Sequence, residues 1–74
     1  MIAQAIGLRS IRFAPAARVA RVLMKEHAHD TWCLREDLRQ ILAETRRENP
    51  AWYQEFIGVA RRLNPELLRA ILPQ

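Results

Sequence analysis

The stretch DTWCLREDLRQILAETRREN, residues 30–49, decides the fold. Leu34, Leu38, Ile41, Leu42 and Thr45 recur at i, i+4, i+7, i+8 and i+11, which places them on one face of a 3.6-residue helix. Glu36, Asp37, Gln40, Glu44 and Arg47 fall on the opposite face. Asp30 and Thr31 each offer a side-chain oxygen that suits an N-cap, although neither has a Glu or Gln three residues on to complete a capping box. Glu36 and Asp37 lie towards the positive end of the helix dipole, and Arg46 and Arg47 near its negative end. Asn49-Pro50 stops the helix, because a residue before proline is pushed out of the α region.

Upstream of this helix, Pro15 sits well as a first-turn proline opening a helix over about 15–28. Its expected buried face is Ala16, Val19, Ala20, Leu23 and His27, with Arg18, Arg21 and Lys25 opposite. The joint His27-Ala28-His29-Asp30 is too short for anything but antiparallel or steeply crossed packing. Downstream, Asn49-Pro50 and Asn64-Pro65 each put a good N-cap before a proline whose missing N–H costs nothing at the first helical position. The helix over 50–63 is expected to bury Trp52, Phe56, Val59 and Leu63, with Tyr53 and Ala60 at the edge and Gly58 facing outward or towards a close neighbour. A short last helix over 65–72 carries Leu67, Leu68, Ile71 and Leu72 on one side, and Pro73 stops it.

Residues 1–14 are expected to form a basic arm or short helix. Ile11 and Phe13 flank Arg12 in a strand-like alternation, but a single strand has nothing to pair with here. The arm shares an Arg- and Ala-rich, acid-free composition with mitochondrial presequences. Its apolar positions run on without a cleavage-like break, which favours an arm. The sequence therefore predicts an all-α fold: a compact bundle of three main helices plus a short C-terminal helix over 15–74, preceded by a basic N-terminal arm over 1–14.

At 74 residues the chain makes one domain. A core of that size supplies only ~3–5 kcal/mol, which leaves room for a homodimer or a partner to add to it. The net charge of +4 is unevenly placed. Residues 1–25 hold Arg9, Arg12, Arg18, Arg21 and Lys25 and no acid, whereas residues 26–48 hold six acids against four arginines. The single cysteine, Cys33, rules out an intramolecular disulfide and fits a reducing, cytoplasmic setting. No apolar run approaches the ~20 residues that span a bilayer, so no membrane association is expected.

His27, His29, Asp30 and Cys33 are the one cluster of metal-ligating residue types. Zinc needs about four converging ligands, and a spacing of two between the histidines is poor for one helical face. Cys33 and His29 at i, i+4 are also the only thiol–base pair, but no Gly-rich turn supplies an oxyanion hole. A chain this short also has little room for a pocket of ~300 Å³. The expectation is thus no metal, no cofactor and no enzymatic activity.

Two binding functions remain. Trp32 falls off the leucine stripe, on the side of Arg35, Arg39 and Arg46, and Tyr53, Ile57 and Arg61 make an i, i+4, i+8 line on the next helix. Trp, Tyr and Arg are enriched in protein–protein hot spots. Trp32, Arg35, Arg39, Tyr53, Ile57 and Arg61 are therefore the candidate face of a small regulatory or inhibitory module that binds another protein. The alternative is a DNA- or RNA-binding regulator in which Arg9, Arg12, Arg18, Arg21 and Lys25 contact phosphates. The order helix, short joint, leucine-spaced helix over 16–42 is loosely that of a helix-turn-helix. The usual turn glycine is missing, and Glu36 and Asp37 would face phosphates.

Overall fold

Asparagine and proline punctuate the second half of the chain as the sequence predicts. Asn49 Oδ1 accepts the Trp52 backbone N–H at 3.3 Å, Asn64 Oδ1 accepts that of Leu67 at 3.2 Å, and Pro50 and Pro65 open the two helices. The computed structural model describes residues 10–73. In chain order, a 3-10 turn at Ile11–Phe13 leads into α1 (Ala16–Arg21), which runs on as a π-helical segment, Val22–Glu26. Then follow α2 (Ala28–Cys33), α3 (Arg35–Glu48), α4 (Pro50–Leu63) and α5 (Pro65–Ile71). Every regular element among the described residues is helical, and the fold is all-α.

The core forms where α1 and α3 both pack on α4 and α5 closes the end against α2, α3 and α4. Ala20, Leu38, Leu42, Phe56, Ala60 and Ile71 are fully buried there. Trp52 and Phe56 stack at 5.4 Å between centroids and 11° between planes. Two side-chain hydrogen bonds fix α1 parallel to α4. Trp52 Nε1 donates to the Ala14 carbonyl at 2.7 Å at one end, and Asn64 Nδ2 donates to the Met24 carbonyl at 3.1 Å at the other.

Three local expectations change. The helix read over 30–49 is two helices, broken at Leu34, whose φ of −103° and ψ of 17° leave the helical region. Leu34 N still donates to the Asp30 and Thr31 carbonyls, so the break is a kink and not an interruption of the chain's pairing. Below it the stripe behaves as expected: Leu38, Ile41, Leu42 and Thr45 are buried, while Leu34 is only half-buried. Neither Asp30 nor Thr31 caps α2; the position before it is His27, and no side chain caps there. Thr31 is instead buried, with its hydroxyl 2.7 Å from the Leu23 carbonyl and 2.9 Å from that of His27. The His27 carbonyl already accepts the Thr31 backbone N–H, so the single hydroxyl proton serves Leu23 better.

That bond answers the second change. The helix expected over 15–28 widens into a π segment, in which His27 N–H bonds to Val22 O across five residues at 2.8 Å. A π turn holds an extra residue and advances the side-chain phase, so Met24 takes the buried place and Leu23 is half-buried. His27, expected inside, is exposed.

The third change is the rotation of α4. Tyr53, Ile57 and Ala60 join Trp52 and Phe56 in the core, Val59 is half-buried and Leu63 is 39 % exposed. Packing against α1 on one flank and α3 on the other widens the buried face beyond a single stripe. Gly58 faces outward, with nothing within 4 Å of a built Cβ.

Candidate interaction surface

The kink at Leu34 builds the most distinctive feature of the surface. Where the helix breaks, Arg35 Nη1 donates to the Trp32 backbone carbonyl at 2.9 Å. The same guanidinium lies over the indole, 4.4 Å from its centroid. Trp32 is 49 % exposed. A cation–π contact of this kind holds an arginine over an aromatic face and leaves its remaining donors free for a ligand.

The other residues of the expected Arg/aromatic face are placed differently. Arg39 Nη2 donates to the Ala70 carbonyl at 2.6 Å, and its Nη1 meets Glu36 at 3.0 Å, so it clamps α3 to the end of α5. Its Nε is buried without a partner among the described residues. Tyr53 and Ile57 lie in the core and present no face. Arg61 is exposed on α4. Of the six, the structure brings Trp32 and Arg35 together.

The basic residues divide in the same way. Arg12 reaches Glu44 at 3.3 Å and Glu48 at 3.4 Å on α3, and also lies over Phe13 at 5.4 Å. These pairs are partly exposed and contribute little individually, but they tie the 3-10 turn to α3. Arg18, Arg21 and Lys25 are exposed and have no ion-pair partner among the described residues. Arg9 lies outside the described residues.

Sequence reading missed a groove. Ile11, Val22, Leu23 and Leu34, all half-buried, line an open trough of about 380 Å³, with His27, Asp30 and Cys33 at its polar margin. That is more room than the chain length suggested. A neighbouring hollow of about 190 Å³ shares Ile11, Val22 and Leu23 and adds Arg18 and Val19. The one sequence signal was Val22, an apolar residue that the buried stripe of its helix does not need. The π segment contributes Val22 and Leu23 to the groove, and Leu34, the residue at the kink, lines it with Ile11.

The polar cluster does not assemble into a metal centre. His27 Nδ1 pairs with Asp30 at 3.5 Å, and Cys33 Sγ lies 3.8 Å from His29 Nε2. Among the described residues no three His, Cys, Asp or Glu side chains converge on one point. No described helix is long and apolar enough to cross a membrane.

The fold and surface thus define a small all-α chain with an exposed Trp–Arg pair and an open apolar groove. No family model, no curated protein and no solved structure matches it.

Proposed function

We propose that this chain is a small non-catalytic regulatory or inhibitory module that acts by binding another protein. The observation that carries this is Trp32, half exposed at a helix kink with the Arg35 guanidinium lying over it and tied to its own carbonyl. An indole and a guanidinium held in one orientation lose little side-chain entropy on binding, which is the condition for a hot spot. Arginine adds parallel hydrogen bonds to a carboxylate of the partner.

Affinity capture with the full chain from its source cell, after nuclease treatment, tests this. A defined protein retained by the parent chain and lost with Trp32→Ala and with Arg35→Glu supports it. Material lost on nuclease treatment, or retained equally by both variants, refutes it. The nucleic-acid alternative keeps Arg18, Arg21 and Lys25, which are exposed and unpaired among the described residues. Its mark is binding to nonspecific duplex DNA that falls steeply with salt.

A further inference from the structure

We propose that the groove of Ile11, Val22, Leu23 and Leu34 takes a short amphipathic helix of an acidic partner protein, one carboxylate of which pairs with Arg18. This rests on the protein-binding function proposed above and names the partner's chemistry.

The groove has two unlike ends. Its two hollows share Ile11, Val22 and Leu23; one reaches Arg18 and the other His27 and Asp30. Arg18 lies in α1 and His27 directly follows the π segment nine residues on, a separation of at most about 13 Å at the α-helical rise. A docked helix of two to three turns spans that length, with apolar side chains at i, i+3, i+4 and i+7 meeting the floor. The trough is open, whereas a small-molecule site encloses most of its ligand. The π segment supplies Val22 and Leu23, and π-bulges recur at functional sites.

Charge selects the occupant. At one end Asp30 already has a neighbour, His27 Nδ1, 3.5 Å from its carboxylate. At the other, Arg18 has no ion-pair partner among the described residues, Arg21 and Lys25 follow it on the same run, and residues 1–25 contain no acid. The occupant therefore brings a carboxylate at one end of an apolar run. The chain's own residues 1–9 bring Arg9 and no acid, the wrong sign. A second copy exposes its large apolar side chains, Phe13, Trp32 and Leu63 among the described residues, on three separate elements, and the apolar run beside Glu66 is buried in its own core, so it offers no free apolar run next to an acid. Phosphates of a duplex satisfy Arg18 but leave the apolar floor uncovered.

The test is selection of a displayed library of random linear peptides, about four helical turns long, on the full chain. Enrichment of peptides with Leu, Ile, Phe or Trp at helical spacing and Asp or Glu at one end is expected. Their affinity falls about tenfold with Arg18→Glu and with Val22→Ser, both on partly or fully exposed positions that leave the helical circular dichroism unchanged. Selected peptides without acids, or affinities unmoved by Arg18→Glu, overturn the proposal. Peptides lost with Trp32→Ala but not with the groove variants overturn it while leaving protein binding intact. Duplex DNA as the only ligand, lost with Arg18→Glu, overturns both. Nuclear Overhauser contacts from residues 1–9 to the Val22 and Leu34 methyls in the free chain also overturn it, because the groove is then filled from within.

Discussion

Asn64 joins two helices at once: its Nδ2 donates to the Met24 carbonyl at 3.1 Å while its Oδ1 caps the Leu67 amide at 3.2 Å. A residue that the sequence marks as a local cap is also a tertiary link from the start of α5 to the π segment. Asparagine is the side chain that does both, since its amide carries an acceptor and a donor.

The two roles separate by substitution. Asn64→Asp keeps the capping oxygen and loses the donor, which costs ~1 kcal/mol. Asn64→Ala loses both and costs roughly 2 kcal/mol. Hydrogen exchange reads the difference. Protection at residues 22–26 falls in both variants, and protection at residues 65–71 falls mainly in Asn64→Ala. Equal effects of the two at residues 65–71 would show that capping is not what holds α5.

Leu38→Asp is expected to unfold the chain. Leu38 is fully buried between α3 and the core, and an unpaired carboxylate there costs several kcal/mol against a small total. Circular dichroism of the variant should show loss of helix. A folded Leu38→Asp chain would mean that α3 is rotated from the orientation described.

Thr31→Val tests the support of the π segment. It preserves shape and removes the hydroxyl that donates to Leu23 O. A loss of ~1–2 kcal/mol by urea unfolding is expected. An unchanged midpoint would show that the carbonyl finds another donor.

These residues show how much of the fold was legible. Asn49 and Asn64 announced two helix starts because capping is local: the cap, the proline and the bonded amide lie within three residues. The stripe from Leu38 to Thr45 was legible because periodicity alone fixes a helix face. The kink at Leu34 and the π segment were not, since Leu, Val and Met there are ordinary helix residues and no glycine or proline marks either place. The π segment has tertiary support, as Thr31 and Asn64 each reach one of its carbonyls from another element. That Trp32 and Arg35 meet was legible, since they are three apart on one strip. That Tyr53 and Ile57 are buried and Arg39 reaches Ala70 was not, because those contacts lie far along the chain.

Arg35 and Arg39 are therefore expected to part company. Arg35→Glu leaves stability within ~0.5 kcal/mol, because its contacts are exposed. Arg39→Glu removes the donor to Ala70 O and places a carboxylate beside both that carbonyl and Glu36, destabilising by ~1–3 kcal/mol. Thermal unfolding of the pair checks this; equal midpoints would remove Arg39 as a clamp.

The most direct measurement is photo-crosslinking in the source cell from a benzophenone side chain at position 29, exposed and one helical turn from Trp32. The expected result is a discrete adduct with an acidic protein that disappears when Trp32→Ala or Arg35→Glu is added. An adduct that survives both substitutions, or crosslinking to nucleic acid alone, would contradict protein binding through the Trp32–Arg35 pair.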